Sequence, residues 1–304
     1  MTKHFLSLAD FTKDEIFEFL DLSLELKAKH KNGEKTLLLK GQTLAMIFQK
    51  PSARTRISFE VGMFQLGGHA LYLAPSDIGI GTREEIKDIA RVLSRYNDGI
   101  MARLYGHDDI IELANYSTVP VINGLTDLLH PCQVLADVMT ILEHRKNLDN
   151  LKVTYVGDGN NMTNSWLNFA ARVPMSLAIA VPKGFEPDAT IFNRAKQTGL
   201  SEIDIFRDPK LAVKGTDVIY ADTWASMHQK DELEQRKKIF LPYQVNDELM
   251  SYARPDTLVM HCLPAYRGQE ITDSVIESRN SIVFDEAENR LHAQKAVMVK
   301  LMKK

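Results

Sequence analysis

The feature that most constrains the fold is an alternation of short apolar runs with longer helical patterns, kept up over most of the 304 residues. The runs are rich in Val, Ile and Ala. In the first half they fall at Thr43–Phe48, Ala70–Leu73, Gly99–Leu104 and Val119–Asn123. Helical patterns occupy Lys13–His30, Ala53–Leu66, Glu84–Tyr96 and Asp108–Tyr116, and a long one follows at Pro131–Arg145. Strands resume at Lys152–Gly157, Ser176–Val181, Asp204–Phe206, Val218–Ala221 and Leu258–His261. The helices between them are expected at Met162–Arg172, Pro187–Gly199, Lys230–Ile239 and Asn246–Tyr252. Alternation of this kind specifies an α/β protein built from two parallel-sheet units. The polar stretch Lys146–Asn150 is the natural boundary, giving domains at 1–145 and 146–284. A last helical pattern, Asp285–Met302, makes residues 285–304 a C-terminal helix expected to return to the first domain.

Composition narrows the function. A net charge of −3 argues against a nucleic-acid or anionic-membrane partner. The basic clusters Arg236-Lys237-Lys238 and Lys303-Lys304 are short and read as solvated helix faces. No apolar run approaches the ~18 residues of a membrane span, and the first ten residues are too polar for a signal sequence. A cytoplasmic protein is expected. Its two cysteines, Cys132 and Cys262, lie far apart, and a disulfide is not expected in a reducing compartment. Each stands beside a histidine, but neither segment has the spaced ligand pairs of a zinc site, so no metal is expected.

In open parallel sheets, ligands collect just beyond the C-terminal ends of the strands. Ser52–Arg56, Arg103, His130–Gln133, Gly157–Asn161, Asp222–Met227 and His261–Pro264 all fall at or soon after such ends. The first is the most telling. A helix start leaves backbone N–H groups unpartnered and carries partial positive charge, so it attracts anions. Here it also carries two hydroxyls, Ser52 and Thr55, and two guanidinium groups, Arg54 and Arg56. Arginine at a helix start costs about 0.3–1 kcal/mol unless a negative charge offsets it, and a phosphate suits the guanidinium fork. The alternative is that Ser52 merely caps the helix and both arginines face water.

The other segments keep two readings each. Arg103 is a surface residue or a ligand clamp. His130 is a structural histidine beside Pro131 or a donor to a carbonyl oxygen, with Gln133 reading an adjacent amide. Gly157-Asp158-Gly159-Asn160-Asn161 follows a strand, but position 162 is Met where a dinucleotide-binding loop needs a third glycine. Its asparagines serve a tight turn, or use an amide to donate to a carboxylate and accept from an amine. Asp222 is a helix cap or the counter-charge to an amino group. Cys262 is an inert thiol or a reactive one.

Together, Ser52-Ala53-Arg54-Thr55-Arg56, His130-Pro131-Cys132-Gln133, Asp222-x-Trp224-x-Ser226-Met227 and His261-Cys262-Leu263-Pro264 resemble, in family order, the motifs of the carbamoyltransferases. Among them the ornithine-using branch is the most similar, over nearly the entire chain. The resemblance implies two α/β domains joined by interdomain helices, with the active site in the cleft between them. It implies carbamoyl transfer from carbamoyl phosphate to the δ-amino group of L-ornithine, yielding citrulline for arginine metabolism. By the same resemblance Ser52, Ala53, Arg54 and Thr55 hold the phosphate, Arg103 and His130 polarise the carbamoyl oxygen, and Gln133 binds its amide. Cys262 and Leu263 line the reacting centre, Arg290 reaches carbamoyl phosphate, and Asn161, Asp222, Ser226 and Met227 hold ornithine. Cys262, Arg103 and His130 are the implied catalytic residues. No cofactor is implied, and the implied assembly is a homotrimer, or a multiple of trimers, with sites at subunit interfaces.

The acceptor is read from few residues. Asn160-Asn161 and the acidic Asp222 suit an amino group, whereas an aspartate acceptor would need cations. Putrescine and N-acylated ornithines remain the alternatives, and a nucleotide-dependent oxidoreductase is a remote one. Two positions depart from the family pattern: His228 follows Met227 where Gly is usual, and Gly79 stands where many relatives have Gln.

Overall fold

The structure is a computed structural model describing residues 2–81, 83–224 and 233–303. The chain divides into two compact units, Met1–Met139 with Glu288–Lys304, and Thr140–Ala287.

The first unit holds a parallel sheet of β1 (Thr43–Phe48), β2 (His69–Leu73), β3 (Gly99–Arg103) and β4 (Val121–Leu125), in the order β2-β1-β3-β4. Its helices include α1 (Lys13–Lys31), α2 (Ala53–Gln65), the short α3 (Pro75–Ile78), α4 (Ile86–Tyr96) and α5 (His107–Tyr116). The helix α6 (Pro131–Arg145) crosses the division between units. In the second unit, β5 (Lys152–Val156), β6 (Ser176–Ala180), β7 (Glu202–Phe206), β8 (Val218–Ala221) and β9 (Leu258–His261) form a parallel sheet ordered β7-β6-β5-β8-β9. It carries α7 (Asn161–Ala170), α8 (Ala189–Gln197), α9 (Pro209–Ala212), α10 (Leu233–Phe240), α11 (Asp247–Met250) and α12 (Asp273–Ile276). The closing helix, α13 (Val283–Met302), also spans a division.

Burial explains the strand order. β1 and β3 are the central strands of their sheet and are buried almost throughout, while the edge strand β2 stays partly exposed. Ala45, Ile47, Ile100 and Ala102 pack against Ile89, Ala90, Ile110 and Leu113 of α4 and α5. Cutting a buried isoleucine such as Ile100 back to alanine removes about 2–5 kcal/mol.

The observed elements differ from the expected ones mainly at ends. β4 begins at Val121 because Pro120 has no N–H to give to the ladder. β7 begins at Glu202: this edge strand exposes Glu202 and Asp204 while burying Ile203, so its polar residues conceal it. The four-residue helices α3, α9 and α12 are too short to show a helical period.

Each sheet has one point where the chain, having built outward on one side, returns to build on the other. In the first unit this lies between β1 and β3, and in the second between β5 and β8. Such switch points open a crevice at the strand ends where ligands bind. The segments leaving those four strands are Gln49–Ser52, Leu104–Gly106, Gly157–Asn160 and Asp222–Trp224.

Candidate active site

At the first switch point β1 runs parallel to β3 with Phe48 opposite Arg103, and the Gln49 N–H donates to the Arg103 carbonyl at 2.9 Å. Ser52 caps α2: its backbone is extended, and its Oγ accepts from the Thr55 N–H at 3.3 Å. Arg103, buried at the end of β3, donates from Nη1 to Thr55 Oγ1 at 3.5 Å. The helix entrance and the strand-end guanidinium are therefore one cluster.

The two arginines of α2 part company. Arg56 pairs with Glu60 at 3.0 Å and stacks over the Tyr72 ring at 4.0 Å. Its charge is offset within the chain, correcting the expectation that both arginines call for an anion. Among the described residues no carboxylate pairs with Arg54, which is exposed at the helix entrance beside Ala53. Burial, and then the charge of Arg103, lower the Lys50 amine.

His130 and Gln133 open α6 and are buried. Burial holds the His130 imidazole well below its ordinary value, and the charges of Arg290 and Arg103 push it the same way. At neutral pH this histidine is an uncharged donor or acceptor. Arg290 of α13 donates from Nη1 to Gln133 Oε1, and Gln133 Nε2 donates to Asp137 Oδ1 at 2.8 Å. Cys132 donates to the Asn123 carbonyl at 3.3 Å, and burial pushes its thiol up to about 12. It is a core thiol.

The second unit gathers its own cluster. Asp222, at the end of β8, is buried and accepts from the Thr223 N–H at 2.7 Å, from Cys262 Sγ at 3.1 Å and from Asn160 Nδ2 at 2.6 Å. Asn160 caps α7 through the N–H groups of Met162 and Thr163, and its oxygen also accepts from the Tyr155 hydroxyl. One asparagine thus fixes both the helix start and the Asp222 carboxylate. Asn161, the expected ligand, is the half-buried first residue of α7. Gly159 is a steric necessity, since a Cβ there would lie 2.3 Å from the Pro187 nitrogen.

Leu263 has a φ of 54°, a left-handed backbone that branched side chains rarely adopt. Its N–H donates to His261 Nδ1 at 2.9 Å, while His261 Nε2 lies 3.1 Å from the Glu270 carboxylate. The Asp222, His261 and Cys262 donor atoms lie within 4.8 Å of one another. Both nitrogens of His261 are taken up by Leu263 and Glu270, however, and the thiol points at Asp222. This donor set is organised as a hydrogen-bond network.

Arg236 corrects the expectation of a solvated face. It is buried, donates from Nε to the Trp224 carbonyl at 2.6 Å, pairs with Asp158, and lies over the Phe185 and Phe240 rings at 4.8 and 5.2 Å. Burial pushes the Asp158 carboxyl up to about 6 despite the opposing pull of Arg236. Ser226 and Met227, expected to hold ornithine, and His228 lie outside the described residues.

Sequence reasoning missed Asp137 and Arg236 as site-building residues, and it gave Asn160 to the acceptor pocket without its role as the cap of α7. Asn160 had a readable signal, an Asn immediately before a helical pattern.

These features define a two-unit parallel α/β protein with an anion-attracting helix entrance in one unit and a carboxylate, thiol and amide cluster in the other. The chain belongs to the aspartate/ornithine carbamoyltransferase family: residues 3–143 match the model of its carbamoyl-P binding domain and residues 149–301 that of its Asp/Orn binding domain. It is 54% identical over 302 residues to the ornithine carbamoyltransferase of Pelobacter propionicus, covering 99% of each chain. It is 53% identical to the chloroplastic ornithine carbamoyltransferase of Pisum sativum, covering 99% of this chain and 81% of the relative. Among solved structures, the ornithine carbamoyltransferase of Pyrococcus furiosus is similar at a TM-score of 0.95 and 52% identity, covering 99% of this chain and 97% of that one. Among the described residues no helix is long and apolar enough to cross a membrane.

Proposed function

We propose that this chain transfers the carbamoyl group of carbamoyl phosphate to the δ-amino group of L-ornithine, giving L-citrulline and phosphate. The observation that carries this reading is the full-length match to ornithine carbamoyltransferases at about half identity, joined to a phosphate-type cradle at the end of β1.

In this reading Ser52, Ala53, Arg54 and Thr55 hold the phosphate, with Arg103 bridging to its carbamoyl side. Arg103 and His130 polarise the carbamoyl oxygen, and Gln133 and Arg290 fix the carbamoyl amide. Attack by a neutral amine builds negative charge on that oxygen and then on the departing phosphate. Preformed donors stabilise both, and loss of one such donor typically costs about 10²–10³ in rate. A neutral His130 can donate its N–H without adding a third positive charge between Arg103 and Arg290. Asp222 accepts from the ornithine amine end, beside Cys262 and the Leu263 turn, and Asn161, Ser226 and Met227 complete the acceptor's hold.

The assembly in this reading is a homotrimer in the cytoplasm. Ile57, Val61 and Phe64 support self-association: they are 59%, 38% and 78% exposed and follow one another at helical spacing along a single face of α2.

The test is an assay of citrulline formation from carbamoyl phosphate, with ornithine, putrescine and N-acetylornithine compared as acceptors. Ornithine should give the highest kcat/KM. Carbamoylputrescine in excess over citrulline would overturn the acceptor.

A further inference from the structure

Asp137 is a carboxylate buried to 0% exposure in the middle of α6, and none of the chemistry above uses it. It stands four residues after Gln133, on the same helix face, and accepts from Gln133 Nε2 at 2.8 Å. The oxygen of the same amide accepts from Arg290 Nη1. A side-chain amide is a rotor whose two ends look alike in shape, and only its partners decide which end points where. Here one partner is a guanidinium, which can only donate, and the other is a carboxylate acting as acceptor. The amide therefore has one orientation, oxygen toward Arg290 and nitrogen toward Asp137.

We propose that Asp137 is a positioning residue for carbamoyl-phosphate recognition: it locks the Gln133 amide so that its oxygen faces the donor site. This role rests on the function proposed above. The Gln133 oxygen accepts from Arg290, and in the function proposed above the carbamoyl N–H donates to that same oxygen. Asp137 withdraws a proton toward itself at one end of the amide while Arg290 draws electron density at the other, so the oxygen is held and polarised as an acceptor. Were the amide reversed, its NH₂ group would face both Arg290 and the carbamoyl nitrogen, donor against donor.

The consequence is selective. Inorganic phosphate has no amide and meets the helix entrance without reading Gln133. Phosphonoacetamide, in which a methylene replaces the bridging oxygen of carbamoyl phosphate, presents the amide. Binding of both is measured by calorimetry on the purified full chain, with circular dichroism and thermal melting as the check of fold. Asp137→Asn should weaken phosphonoacetamide by about tenfold or more, the loss expected for a charge-assisted hydrogen bond, and leave inorganic phosphate unchanged. The double variant Asp137→Asn with Gln133→Glu exchanges the polarity of the pair. The new amide donates to the new carboxylate, which still accepts from Arg290, and phosphonoacetamide binding should recover most of the loss.

Equal weakening of both ligands by Asp137→Asn would mean a merely structural role and overturn the proposal, as would no weakening of either. If Asp137→Asn does not fold, the comparison is between Gln133→Glu and the double variant. The double variant should bind phosphonoacetamide more tightly, and equality of the two would overturn the pairing. Failure of the unmodified chain to bind phosphonoacetamide would overturn the donor-site reading itself and this role with it.

Discussion

Arg103 Nη1 reaches Thr55 Oγ1 at 3.5 Å across 48 residues of sequence. The parallel pairing of β1 with β3 makes this possible, because it places the end of one strand beside the helix entrance that follows the other. A buried guanidinium and a helix mouth then converge from two sides of one switch point. Removing Arg103 would leave the helix dipole and the Ser52 cap in place, so binding of an anion and polarisation of its carbamoyl group are separable by mutation.

Arg54→Ala tests the anion end. Arg54 is exposed and makes no ion pair among the described residues, so its loss should leave the melting temperature unchanged. Binding of carbamoyl phosphate should fall by about tenfold or more, as expected when a charged hydrogen bond is removed. Arg56→Ala is the internal control: its guanidinium is already paired with Glu60 and stacked on Tyr72, so phosphate binding should hardly change. Calorimetric titration of the two variants distinguishes them. Equal losses would place both arginines on the ligand.

The rate should rise with pH. The δ-amine of ornithine resembles lysine, with a reference pKa of about 10.4, and only its neutral form attacks. The logarithm of kcat/KM for ornithine should therefore climb with a slope near one between about pH 7 and 8.5, where the neutral fraction grows tenfold per unit. His130 should add no break near 6.5, because burial and its two arginine neighbours displace its protonation to lower pH. A clear inflection near 6.5 that vanishes in His130→Asn would contradict the neutral-histidine reading.

Much of this was legible in the sequence because parallel α/β chains write their strands as apolar runs, and the switch-point rule turns strand ends into sites. Ser52, Arg103 and Asp222 each stand at a strand end that the pattern reveals. What remained hidden depends on tertiary pairing. Arg236 sits in an ordinary basic triplet, and nothing local says that Asp158, 78 residues earlier, takes it into the interior between Phe185 and Phe240. Asp137 was concealed for a related reason, since one acidic residue in a helical pattern reads as surface until the packing of α13 is known.

The two cysteines should differ in reactivity. Cys132 is fully buried, donates to the Asn123 carbonyl, and has its thiol pushed up to about 12, so it carries almost no thiolate at pH 8. Cys262 is only partly buried beside Asp222. An aromatic disulfide reagent should modify one thiol per chain in the native protein and two after denaturation. Cys262→Ser should abolish the native reaction, and Cys132→Ala should leave it intact. Two native thiols of equal rate would contradict the assigned burial.

The last prediction concerns stability in acid. His292 is buried in α13, where its Nε2 lies 3.5 Å from a Glu288 carboxylate oxygen. Burial, with Lys295 adding to it, lowers the imidazole from 6.5 to about 4. The unfolded chain thus takes up a proton at this position that the folded chain refuses. Stability is full above pH 6.5 and is lost as the pH falls toward 4, with no further loss from this group below that. At about 1.4 kcal/mol per pKa unit, the drop amounts to about 3 kcal/mol. His292→Phe keeps the ring shape and removes the proton site. It should cost less than about 1.5 kcal/mol at pH 7.5, as volume-conserving core exchanges do, and flatten the acid limb of a urea-denaturation profile. The flattening should be partial, because burial lowers His4, His107 and His130 in the same direction. An acid limb as steep in His292→Phe as in the parent would show that His292 does not supply it.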